Sequence, residues 1–256
     1  MIEKDPSRFQ NKILTSQADI EYRILLNDYF TKGFGSAVEK LENFPKYVSS
    51  TTIARFLCKY EIFKHILNVQ GSVIECGVLH GGGLMTWAQF SAVLEPMNHQ
   101  RKIIGFDTFS GFPAITKEDA IPTTSELVNP GGLAIDSFQD LEECIRIYDM
   151  YRPLSRIWKV KLVKGDVKET IPQFIQDNPH TIVSLLYLDF DIFAPTSLAL
   201  EYLVDRIPKG GVIAFDQLNS ESFPGETVAA VKKLGIGNLR IQRPLLSTSI
   251  SYAIME

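Results

Sequence analysis

Residues 72–83 read SVIECGVLHGGG, a short apolar run that closes on a glycine turn, with the helix-like LMTWAQFSAVLE (84–95) directly behind it. An apolar run of this length bounded by glycines predicts a buried strand, and the turn predicts a strand passing straight into a helix. Downstream the same unit recurs. KIIGFD (102–107) predicts a second strand, followed after a long loop by the helical LEECIRIYDM (141–150). KVKLVKGD (159–166) and VKETIPQFIQD (167–177) form a third pair, TIVSLLYLDFD (181–191) and TSLALEYLVDRI (196–207) a fourth, GGVIAFDQL (210–218) and GETVAAVKKLG (225–235) a fifth. Strands alternating with helices of this length predict an α/β domain whose parallel sheet is covered on both faces. The ending breaks the rhythm. LRIQRP (239–244) and SISYAIM (249–255) are strand-like runs with no helix between them, which predicts a terminal antiparallel pair.

Upstream, three stretches read as helices: ILTSQADIEYRILLNDYF (13–30), SAVEKLENF (36–44) and STTIARFLCKYEIFKHIL (50–67). In the third, Ile53, Phe56, Leu57, Tyr60, Phe63 and Leu67 recur at helical spacing, Ile62 and Ile66 widen the apolar face, and Ser49 or Ser50 suits the N-cap. Residues 1–12 read as a polar arm. Residues 1–69 are thus expected to be a helical prefix, too apolar to stand alone and packed on a domain spanning 70–256.

A chain of 256 residues accommodates one large α/β core and is short for two independent domains. Its 26 basic and 30 acidic residues leave a net charge of −4, so no global field draws it to nucleic acid or an anionic membrane. No run approaches the roughly 20 apolar residues needed to span a bilayer, and the N-terminus lacks an apolar signal core. The expectation is a cytoplasmic protein, with homo-oligomerisation left open. Cys58, Cys76 and Cys144 form no C-x-x-C pair, which argues against a zinc site or disulfide framework and for small buried residues in a reducing compartment.

The chemistry gathers at the carboxyl ends of the predicted strands, where doubly wound sheets bind ligands. At the first, Gly77, Gly81 and Gly82 allow a ligand close to the backbone, and the following helix N-terminus favours a carboxylate or phosphate. Glu75 can accept from an ammonium group, which suits an amino-acid cofactor better than a nicotinamide one. Asp107, at the tip of the second strand, can take both ribose hydroxyls of an adenosine. Asp166, after the third, suits either an adenine amine or the cap of the next helix. Asp189 and Asp216 end the fourth and fifth strands. If those strands are neighbours, about 4.8 Å apart, the two carboxylates require a proton or a cation between them; otherwise they are independent strand ends. With the neutral oxygen of Gln217 they would suit Mg²⁺, Mn²⁺ or Ca²⁺ rather than zinc. Asp191 reads as an outer support, a base, or the helix N-cap ahead of Pro195. Of the four histidines only His80, inside the glycine turn, faces the expected cofactor rim. The polar loop PAITKEDAIPTTSELVNPGGLAID (113–136) is long for a connection inside a compact domain and reads as a mobile lid.

Taken together, VIECGVLHGGG, IIGFDTFSGFP, LYLDFD and IAFDQLN resemble the macrocin O-methyltransferase family, with DTFSGFP the most specific phrase. The resemblance runs over about residues 44–256. It implies a seven-stranded class I methyltransferase sheet and a divalent-metal-assisted methyl transfer from S-adenosylmethionine to a hydroxyl of a deoxysugar, free on a natural-product glycoside or linked to a nucleotide. It implies cofactor contacts at Glu75, Gly77, Asp107 and Asp166, and a metal triad at Asp189, Asp216 and Gln217, where many members carry two consecutive aspartates at the last pair. Asp189 or Asp191 would take the proton. Two other readings compete. A nucleotide-dependent oxidoreductase would carry G-x-G-x-x-G, whose second glycine is Leu79 here. A binding protein retaining the fold without turnover would have no need of the four acids Glu75, Asp107, Asp189 and Asp216.

Overall fold

The computed structural model describes residues 15–246 and 249–256, so the polar arm expected over 1–12 lies outside them. Strands β1 (Ser72–Cys76), β2 (Ile103–Asp107), β3 (Val160–Lys164), β4 (Val183–Leu188), β5 (Val212–Phe215) and β6 (Ser251–Ile254) form one sheet in the order β3-β2-β1-β4-β5-β6. The first five are parallel, and β6 returns antiparallel to β5. Every residue of β1, β4 and β5 is buried, the signature of strands covered on both faces.

Side-chain alternation divides the core into two layers. Val73, Ile103, Leu185, Tyr187 and Val212 face helices α3 (Ser50–His65), α4 (Gly82–Leu94) and α5 (Phe138–Tyr151). Ile74, Ile104, Leu186, Leu188 and Phe215 face α6 (Val167–Asp177), α7 (Phe193–Leu203) and α8 (Gly225–Leu234). Strand order reverses at β1, which lies between β2 and β4, so the cleft beyond its carboxyl end is the natural ligand site.

Two expectations need correction. The sheet has six strands among the described residues, not seven. LRIQRP contributes one isolated bridge, Gln242 exchanging both backbone hydrogen bonds with Tyr252 at 2.8 Å. The next exchange position belongs to Pro244, which has no N–H to give. The core face of α3 is also rotated from the one its apolar spacing suggested. Phe56 and Leu57 are exposed, while Cys58, Lys59, Ile62 and Phe63 are buried. Ser49 is the N-cap, accepting from Thr52 N–H. Helix α3 joins the β1 core through Ile62, Phe63 and Ile66. Helix α1 (Gln17–Lys32) buries no residue, and touches α2 (Ala37–Glu42) and its flank through Lys40 and the Tyr47 ring.

Candidate active site

Beyond β1 the backbone turns sharply at Gly77, whose φ is +96° and whose position leaves no room for a side chain. A Cβ there would stand 2.0 Å from the Asp189 carbonyl oxygen. The turn ends at Gly81, which precedes α4 and faces Leu141 of α5. That glycine, expected at the cofactor, takes a left-handed backbone facing α5, whereas Gly77 and Gly82 line the cavity. Asp107 also lines it, but not with a free carboxylate. Its Oδ2 accepts from the N–H groups of Val78 (2.7 Å) and Leu79 (2.9 Å), and its Oδ1 from Phe109 N–H (2.7 Å). Leu79 and Phe109 both have left-handed backbones, a costly conformation for such residues, and the carboxylate holds them there. The residue expected to receive a ribose is therefore first the brace of the turn. Asp166 caps α6 by accepting from Lys168 N–H (2.9 Å) and also lines the cavity, so both of its readings hold geometrically.

Glu75 points inward from β1 beneath Gly83, where a Cβ would come within 2.4 Å of its carboxylate. Trp87 Nε1 donates to Glu75 Oε2 at 2.5 Å, and Lys59 Nζ of α3 stands 3.7 Å from the same oxygen. Burial pushes the Glu75 carboxyl up and the Lys59 ammonium down, desolvation outweighing their attraction for each other. Lys59 Nζ makes no hydrogen bond and rests over the rings of Tyr187 (3.5 Å) and Trp87 (4.7 Å).

The opposite wall is the rim of β4 and β5. These strands are parallel neighbours with Leu188 paired to Phe215, which brings Asp189 and Asp216 side by side, as expected. Between them lies the guanidinium of Arg55 from α3, Nη2 standing 2.5 Å from Asp216 Oδ1 and 3.4 Å from Asp189 Oδ2. The Tyr187 hydroxyl also donates to Asp216 Oδ1. Burial opposes the charge on Arg55, but Asp216 foremost, then Tyr187 and Asp189, outweigh it and hold the guanidinium above its ordinary value. Burial, then the neighbouring Asp216, pushes Asp189 well above the carboxylate range; the same causes push Asp191 up to about 8.

The metal triad does not fit this arrangement. Gln217 turns its amide nitrogen to Asp191 Oδ1 (2.5 Å), and its N–H donates to Glu226 Oε1 (2.8 Å). A cation already stands against both carboxylates, and among the described residues no three acidic, histidine or cysteine side chains converge as a metal set. The cofactor is a different matter. The glycine turn, the first turn of α4 and a buried ammonium at the cavity wall together suit a ligand that carries a carboxylate.

A match to the macrocin O-methyltransferase (TylF) family model covers residues 58–234, well over half of the chain. The chain belongs to that family. It is an S-adenosylmethionine-dependent O-methyltransferase. The crystal structure of CalS11, calicheamicin methyltransferase, aligns with a TM-score of 0.87 and 29% identity over 94% of this chain and 93% of that one. The apo structure of CalS11, described as a TDP-rhamnose 3′-O-methyltransferase, gives 0.80 and 28% over 94% and 95%. The O-methyltransferase NovP shares the fold, with a TM-score of 0.62 and 19% identity over 79% and 80%. No curated protein matches.

Several residues that shape the methyltransferase cavity escaped sequence reading. Arg55 and Lys59 are one helical turn apart, in line with Ile62 and Ile66, and that register was the available signal. Asp119, buried in the long loop, accepts from Phe193 N–H (2.6 Å) and so caps α7, the task considered for Asp191. Asp191 instead sits in a left-handed turn at the cavity wall. The loop expected to be a mobile lid is tied down at Asp119, at Ser125, whose N–H donates to the Ser222 carbonyl (2.9 Å), and at Gly131, whose N–H donates to that of Phe112 (2.8 Å). Its Gly132 and Leu133 reach the cavity. His80 lies exposed at the cavity edge, and His65 Nε2 meets the Tyr252 hydroxyl at 3.2 Å. Cys58 and Cys76 are buried, and Cys144 is partly buried. Among the described residues no helix is long and apolar enough to cross a membrane.

Proposed function

We propose that this cytoplasmic enzyme methylates a hydroxyl of a deoxysugar, carried on a nucleotide or a natural-product glycoside. The observation that carries this reading is one cavity with a glycine turn on one wall and a carboxylate rim on the other. The relative described as acting on TDP-rhamnose, similar along almost the whole chain, supports the sugar acceptor.

When bound, S-adenosylmethionine supplies an electrophilic methyl group. Glu75, Gly77, Gly82, Asp107 and Asp166 line the cofactor's part of the cavity. Asp107 contributes by holding the turn in shape, and Lys59 with the first turn of α4 provides a positive field for a carboxylate. Asp189 and Asp191 line the acceptor's part. We assign the base to Asp191, because Asp189 is engaged by the Arg55 guanidinium. The Asp191 carboxyl, pushed up to about 8, has a proton affinity closer to that of a reacting hydroxyl than an ordinary aspartate has. The rim orients the acceptor oxygen, and orientation in a closed site is worth several orders of magnitude in rate. The divalent cation implied by family resemblance is not carried into this reading, because the Arg55 guanidinium already stands against both carboxylates.

The test is transfer of labelled methyl from S-adenosylmethionine to a panel of nucleotide-linked deoxysugars, with fully hydroxylated sugar nucleotides and catechols as comparison. Product with a deoxysugar and none with a catechol is the expected result. Transfer to catechols alone would overturn the acceptor assignment, and tight binding of NAD in place of S-adenosylmethionine would overturn the cofactor.

A further inference from the structure

Arg55 is separated from Asp189 by 134 residues and from Asp216 by 161, yet its guanidinium meets both. The strands carrying the two aspartates are adjacent and parallel, with Leu188 paired to Phe215, so the two acids stand side by side at the strand ends. A hard divalent ion would bind the same oxygens at about 2.0–2.6 Å, in the space the guanidinium now fills. The remaining candidate, Gln217, is tied to Asp191 through its amide nitrogen rather than standing free at the pair. Asp216 Oδ1 accepts from Tyr187 as well as from Arg55. The guanidinium cannot be deprotonated, so it supplies a fixed positive charge at every working pH. Its side chain remains 43% exposed, which leaves it at the cavity surface rather than locked in the core.

We propose that Arg55 is the resident cation of the acceptor rim, holding Asp189 and Asp216 as a pair in the place a divalent metal would otherwise fill. The proposal rests on the methyltransferase reading only for the statement that this rim is the acceptor's side of the cavity. Arg55 is a positioning residue here, acting through the two carboxylates. Helix α3 thereby becomes part of the site. It delivers Arg55 to Asp189 and Asp216 and, one turn later, Lys59 to Glu75, so three acids on three strands meet one helix from outside the sheet.

The experiment is a Mn²⁺ titration of the full chain, followed by electron paramagnetic resonance, on wild type, Arg55→Lys and Arg55→Gln. Wild type and Arg55→Lys, which keeps the charge, should take up no stoichiometric Mn²⁺ at about 1 mM, the weak end of oxygen-ligand sites. Arg55→Gln should bind one ion at least about tenfold more tightly than wild type, because repulsion between neighbouring cations is removed. Asp216→Asn added to Arg55→Gln should abolish that gain. Equal uptake by wild type and Arg55→Gln, strong or absent, overturns the proposal. Circular dichroism melts check that the variants fold. Should Arg55→Gln not fold, the parent chain decides. Stoichiometric Mn²⁺ in wild type that Asp216→Asn abolishes overturns the proposal, and no uptake together with methyl transfer insensitive to chelator supports it. Calorimetric binding of S-adenosylmethionine in parallel reports on the methyltransferase reading, whose failure would leave the Mn²⁺ comparison intact.

Discussion

The glycine turn and the carboxylate rim face each other across one cavity, and their negative charges are satisfied in opposite ways. At the turn, Asp107 is neutralised by dipoles: three backbone N–H groups from residues at most 29 positions away. At the rim, Asp216 is paired at 2.5 Å with a full charge from a helix outside the sheet, which stands 3.4 Å from Asp189 as well. Backbone donors come with the fold and need no particular side chain. A guanidinium comes only if one residue of one distant helix is arginine and the helix docks in register. The turn is therefore the robust wall of the site, and the rim is the one that substitution can retune.

The largest expected effect tests the rim as the seat of the chemistry. Asp191→Asn should lower turnover by about 10²- to 10⁴-fold, the usual range for a lost general base, with S-adenosylmethionine affinity nearly unchanged. Wild-type turnover should rise with pH through about 8. A carboxyl raised that far is mostly protonated at neutral pH and becomes a base only as the proton leaves. Single-turnover methyl transfer from pH 6 to 9 checks both, and an unchanged profile in Asp191→Asn would move the base to Asp189.

A smaller effect is expected at the turn. Asp107→Ala should weaken S-adenosylmethionine binding by about tenfold or more, with a lower Tm alongside, because the left-handed turn loses its acceptor. Calorimetry and a thermal melt on the same sample separate two roles. Weaker binding at unchanged Tm would mean that the carboxylate contacts the ligand directly, and the contrast between the walls would weaken.

The smallest effect concerns the loop between the walls. Asp119→Ala removes the acceptor at the start of α7 and should cost about 1 kcal/mol, the ordinary worth of a helix cap. Amide exchange of residues 114–136 should speed up in that variant. Exchange there that is equally slow in both proteins would show that the other two ties suffice.

Much of the scaffold is legible in the linear chain. Helix α6 runs over the residues its pattern marks, from the Asp166 cap to Asp177, because cap chemistry and helical periodicity are local. That Asp189 and Asp216 both end apolar strands is legible too, whereas the neighbourhood of those strands is decided by the sheet order. The missing strand at LRIQRP was less visible. Its apolar residues look like a strand, and only the position of Pro244 opposite its would-be partner cancels the ladder.

What the sequence determines alone is whatever depends on short range: the strand-turn-helix units, the glycine turn whose backbone excludes any Cβ at Gly77, and the placement of acids at strand ends. What only the tertiary structure decides is how those acids are neutralised. In the linear chain an arginine at position 55 is one more polar residue on an amphipathic helix, and a glutamine at 217 is one more neutral oxygen. The docking angle of α3 turns Arg55 into the cavity, and the packing of α8 under Gln217 engages its backbone through Glu226. Coulomb energies between side chains fall with distance and rise with burial, and neither quantity exists until the chain has folded.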